Sequence, residues 1–78
     1  MITVYAIYDK FYNEIYVGLT NNLDRRMKEH VRGQTQYTKK FVDIHLIYTE
    51  EFEDYKSARK REKYLKSGCG KEFLKTLI

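Results

Sequence analysis

Two charged side chains stand where helical periodicity calls for hydrocarbon. Between Asp54 and Ser67, Ala58 and Leu65 mark an inner stripe. At about 100° per residue, Glu62 projects within roughly 40° of Ala58, inside that stripe. A carboxylate in such a place is rare unless it is paired or binds a metal. Two readings stand: a salt bridge with Arg26 or Arg61, or ligation of a divalent cation. One carboxylate completed by water and phosphate oxygens suffices for Mg²⁺, which keeps much of its hydration shell. In an earlier segment, Arg26 and His30 lie within roughly 60° and 20° of Leu23 on the same helical geometry, flanking another apolar stripe. Desolvating a guanidinium is costly unless a carboxylate or a phosphate compensates. The alternative is that Arg26 snorkels and His30 is a hydrogen-bonded histidine at the core edge.

Secondary-structure signals place these residues on a small set of elements. Ile2 to Tyr8 is rich in β-branched and aromatic residues, Asp9 to Glu14 is turn-like, and Ile15 to Thr20 is again strand-like, which reads as a hairpin. A tight hairpin would set Tyr8 beside Tyr16, where a phenol either packs across the strands or serves a site. Gly18 weakens the second strand and marks a bulge or the close approach of another group. Asn21 or Asn22 can cap a helix from Leu23 to about Arg32, with Leu23, Met27 and Val31 as its buried face and Gly33 as its stop. Gln34 to Lys40 reads as a polar, basic loop around Tyr37. Val42 to Phe52 is a third strand. Asp54 caps a second helix to about Ser67, and after a stop at Gly68 a short terminal helix restarts beyond Gly70. The order ββαβαα predicts an α+β fold, an antiparallel sheet packed by helices.

Composition bounds what such a chain can be. With 78 residues there is room for one core, so residues 1–78 form one domain. Fifteen Lys and Arg against 11 Asp and Glu give a formal charge of +4. That bias suits a polyanionic partner and equally suits a solvated mixed-charge surface. The single Cys69 excludes an internal disulfide and a Cys-rich zinc site. No apolar run reaches the roughly 20 residues of a membrane span. The expectation is a soluble, cytoplasmic protein, monomeric by default and without a membrane partner.

The succession Ala6-Ile7-Tyr8, Tyr16-Val17-Gly18, Arg26 with His30, and then Glu62 resembles the GIY-YIG nuclease superfamily. The most specific stretch runs from Tyr16 to His30. Ala58 to Gly68 is similar to the metal-binding helix and Lys-Ser-Gly turn of its small stand-alone bacterial members. The resemblance implies a three-stranded antiparallel sheet flanked by helices, and a divalent-metal-dependent endonuclease that hydrolyses DNA. It assigns Tyr16 to activating or positioning the attacking water, Tyr8 to hydrogen bonding within the site, and Arg26 to stabilising the phosphate. His30 assists, and Glu62 is the sole protein ligand of Mg²⁺ or Mn²⁺. Ala6 stands where the family has glycine, Val17 where it has isoleucine, and no asparagine follows Asn22. Arg32, Tyr37, Lys39 and Lys40 are candidate nucleic-acid contacts. The alternative is a nucleic-acid-binding module of the same fold with weak or no turnover.

Overall fold

The segment richest in β-branched and aromatic residues takes the centre of the sheet. In the computed structural model, which describes residues 1–78, β1 (Ile2–Asp9) lies between β2 (Glu14–Thr20) and β3 (Ile44–Phe52). Both neighbours are antiparallel to it, in a three-stranded sheet of order β2-β1-β3. Ladders on both sides satisfy its backbone, and its side chains are buried on both faces. Val4 and Ala6 point one way, against Val17, Ala58, Leu65 and Leu74. Tyr5 and Ile7 point the other way, toward Phe41, Tyr16, Leu23 and Met27. Helix α1 (Leu23–Val31) therefore covers one face, and α2 (Tyr55–Lys66) with α3 (Gly68–Lys75) covers the other. The order ββαβαα and the α+β class are as expected.

Each helix starts at a side-chain cap. Asn22 Oδ1 accepts from the Arg25 amide at 3.1 Å, and Asp54 Oδ1 from the Ser57 amide at 2.7 Å. Ser67 ends α2 and caps α3. The expected pause across Gly68 and Gly70 is thus a single residue, and both glycines lie inside α3. The reason is a close approach: a Cβ at Gly70 would collide with the Tyr64 carbonyl and the Leu65 Cα.

Two further boundaries differ from expectation. β3 begins at Ile44 and not Val42, because the Val42 and Asp43 amides donate to Asp9 Oδ1 at 2.8 and 2.7 Å instead of joining the ladder. Burial opposes the charge on Asp9, yet these donors and the Tyr12 amide prevail and hold its carboxyl below the usual range. Helix α1 ends at Val31, and that side chain is 69% exposed while His30 is fully buried. Seven residues return a helix to within roughly 20° of its starting direction and eight overshoot by about 80°, so His30 continues the Leu23 stripe and Val31 leaves it. In the pairing of β1 with β3, Ala6 meets Tyr48 and Ile7 meets Leu46, leaving Ile47 as a bulge. No helix is long and apolar enough to cross a membrane.

Candidate active site

Beneath α1, a cluster of polar side chains occupies ground that would otherwise be core. Tyr5 pairs with Gly18 across β1 and β2, and its ring lies over that glycine. A Cβ at Gly18 would sit 2.7 Å from the Tyr5 hydroxyl. The glycine therefore serves the close approach that its strand position suggested. The Tyr5 hydroxyl reaches His30 Nε2 at 2.7 Å and Arg26 Nε at 3.4 Å. A guanidinium can only donate, so the phenol's own proton is directed to Nε2. His30 is then neutral with its hydrogen on Nδ1, which donates to Thr38 Oγ1 at 2.6 Å with Thr35 Oγ1 at 3.1 Å. The two threonine hydroxyls also bond to each other. Burial first, and the charge of Arg26 second, pull the His30 pKa down to about 4. Burial pushes the Tyr5 phenol up to about 12 against the opposing pull of Arg26. The resting pair is phenol and neutral imidazole.

Arg26 turns from this pair toward solvent. Its side chain is 33% exposed, and its Nη1 donates to Glu29 Oε1 at 3.0 Å. Hydrogen bonding to Tyr5, with help from Glu29 and Tyr16 and against the cost of burial, raises its pKa above the ordinary arginine value. The Tyr16 ring packs edge-on to the His30 ring, with centroids 5.3 Å apart. The Tyr37 ring lies nearly parallel to that of Tyr16, with centroids 6.4 Å apart and 23° between planes. Tyr16 is half-buried where Tyr5 is sealed, so of the two phenols it is the one that a solvent molecule reaches.

Glu62 comes from the opposite side of the sheet. Its side chain is only 14% exposed and touches one cation, Lys66 Nζ at 3.2 Å, one turn along α2. Neither expected partner pairs with it. Arg61 Nε bonds Glu50 Oε1 at 3.0 Å, and Arg26 bonds Glu29. The negative charge of Glu62 contributes, least among its causes, to the raised pKa of Tyr5, which sets the carboxylate within electrostatic reach of the cluster. A largely buried carboxylate paired only with a half-exposed lysine suits a hard cation that retains most of its water.

The sequence and the fold have counterparts. The GIY-YIG catalytic domain matches residues 1–73. The chain belongs to the GIY-YIG family. A UPF0213 protein of Clostridium perfringens is 42% identical over 53 residues, and one of Natronomonas pharaonis is 37% identical over 54. These matches cover 67% and 68% of this chain but 57% and 64% of the two relatives, so the chain spans less than two thirds of their length. The solution NMR structure of a UPF0213 protein from Bacillus halodurans superposes with a TM-score of 0.59 at 32% identity, covering 99% of this chain and 85% of that one.

Within this GIY-YIG domain, Tyr16, Arg26 and His30 lie together, and Glu62 lies within electrostatic reach of Tyr5. Tyr8 does not join them. The register pairs Ile7 with Tyr16 and Tyr8 with Ile15, so Tyr8 leaves the sheet on the side opposite Tyr16. Its hydroxyl donates to Asn13 Oδ1 at 2.7 Å, and its surroundings are Ile47, Leu77 and Ile78. Tyr5, in Thr3-Val4-Tyr5, occupies the place expected of it. Tyrosines three apart in a strand face opposite sides of the sheet, and the register decides that Tyr5 is the one opposite Gly18. Thr35, Thr38 and Glu29 were also not singled out, since nothing local marks a hydroxyl that a distant histidine will meet. Arg32, Lys39 and Lys40 are exposed, and Lys40 is engaged by Glu14 at 3.0 Å and by the Tyr12 ring.

Proposed function

We propose that this chain is a divalent-metal-dependent endonuclease that hydrolyses phosphodiester bonds in DNA. The reading rests on one observation above the others: a guanidinium fixed by Tyr5 and Glu29 stands beside the half-exposed Tyr16, while an unpaired-by-arginine carboxylate, Glu62, lies within electrostatic reach. Arg26 meets the phosphate, where its fixed charge opposes the negative charge that grows as the bond breaks. Tyr16 orients the attacking water through its hydroxyl. Tyr5 and His30 act from behind. Their neutral hydrogen bond, anchored by Thr38 and Thr35, holds Arg26 in place without adding charge to the site. Glu62 is the residue that would hold Mg²⁺ or Mn²⁺, and the cation would supply charge neutralisation at the leaving oxygen. Arg32, Lys39 and Lys40 are the candidate contacts to the DNA backbone.

Purified protein with Mg²⁺ or Mn²⁺, offered duplex, flapped, branched and single-stranded DNA, is expected to nick at least one of them. Glu62→Gln should abolish the nicking together with any stabilisation of the fold by added metal. Salt-dependent DNA binding with no cleavage on the whole panel would return the chain to a binding module. Full cleavage by Glu62→Gln would overturn the metal assignment.

A further inference from the structure

We propose that the exposed ring of Tyr37 is a stacking platform for an unpaired nucleobase next to the scissile phosphate, which makes single-stranded or locally unpaired DNA the substrate class. The proposal rests on the nuclease reading for the phosphate and on separate geometry for the base. Tyr37 is 77% exposed, so its ring contributes almost nothing to the core. It is nevertheless held in place. Thr35 and Thr38, on either side of it, are buried and bonded to His30 Nδ1. The Phe41 amide closes on the Thr38 carbonyl at 2.9 Å, and Phe41 is itself buried. At the other end, Gly33 takes a φ of +71°, and the Gln34 amide returns to the Glu29 carbonyl at 2.8 Å. The loop is therefore pinned by the same histidine that pairs with Tyr5, and its one aromatic side chain stands at the mouth of the site.

Geometry then limits what can use that ring. The Tyr37 ring lies 6.4 Å from that of Tyr16, centroid to centroid, with 23° between planes, and most of it is open to solvent. A flat apolar face beside the residue that orients water suits a flat partner attached to the phosphate being cut. In an intact duplex, both faces of an internal base are covered by its neighbours, so only an unpaired or terminal base can offer one.

The test uses the whole chain and short oligonucleotides carrying 2-aminopurine, first in EDTA so that binding is read without turnover. Single-stranded DNA should bind with quenched fluorescence and more tightly than a blunt duplex of the same sequence. Tyr37→Ala should weaken single-strand binding roughly 5- to 150-fold, the range that loss of one base–aromatic stack gives, and leave duplex binding unmoved. Tyr37→Phe and Tyr37→Trp should retain it, and thermal melts should match the parent for all three variants. Unchanged quenching and affinity in Tyr37→Ala, or an equal loss on duplex and single strand, would overturn the platform. Adding Mg²⁺ separates the two readings. Quenching without cleavage of any DNA keeps the platform and removes the nuclease. Cleavage insensitive to Tyr37→Ala keeps the nuclease and removes the platform. Quenching by the RNA version alone would overturn DNA as the substrate.

Discussion

Toward α2 and α3 the central strand presents Val4 and Ala6 to Val17, Ala58, Leu65 and Leu74, whereas toward α1 it presents Tyr5 and Ile7 to a layer that includes His30, Thr35 and Thr38. Both faces are equally sealed, but they do different work. The apolar face is held by non-directional burial, which tolerates small shifts in position. The polar face must satisfy every donor and acceptor, and it does: no buried side-chain nitrogen or oxygen lacks a partner. Such a network is unforgiving of displacement. Stability is concentrated under α2 and α3, and positional accuracy under α1.

Single substitutions can break or sharpen that contrast. The largest effect is expected from Arg26→Ala, which should lower the cleavage rate by about 100- to 1,000-fold, the usual consequence of losing one preorganised donor at a developing charge. Its thermal midpoint should move little. On the other face, Leu65→Ala should cost about 2–5 kcal/mol in urea unfolding and leave cleavage per folded molecule unchanged. Equal losses of activity in the two variants would erase the distinction between the faces. Tyr5→Phe should cost about 1–3 kcal/mol, because His30 Nε2 is left buried without a donor, and should also depress cleavage.

The same network makes stability depend on pH. His30 has a folded pKa of about 4 against an ordinary 6.5, so the unfolded chain binds its proton first as pH falls. The neutral histidine's contribution is complete above about pH 6.5 and is lost progressively down to about pH 4. The urea midpoint should fall across that window, and His30→Gln should flatten the slope. The smallest effect belongs to Tyr8→Phe, expected within about 0.5 kcal/mol of the parent and with full cleavage. Loss of activity in Tyr8→Phe with none in Tyr5→Phe would place the site on the opposite face.

Much of the fold was legible because its signals are local. Asn22 and Asp54 cap their helices, β1 reads as a strand, and Glu62 interrupts one apolar stripe while Arg26 flanks another, at angles that helical geometry alone supplies. The angle that set His30 near Leu23 already disfavoured Val31, although spacing by four suggested otherwise. Errors gathered where the answer depended on distant residues. Tyr8 and Tyr5 are chemically identical and three positions apart. Their roles were decided by a register that pairs Ile7 with Tyr16 through a turn containing Asn13 at φ 57°. β3 starts later than its apolar run suggests because Asp9, more than 30 positions away in the chain, captures the Val42 and Asp43 amides.

The amino-acid sequence by itself determined the elements, their order and the helical positions of Arg26, His30 and Glu62, because 3.6-residue periodicity and capping act over a few residues. Only the tertiary structure decided which tyrosine faces them, that Glu62 pairs with neither arginine, and that Thr35 and Thr38 close on His30. Each of these depends on strand register or on contacts between segments far apart in the chain, where a one-residue slip turns every side chain to the other face.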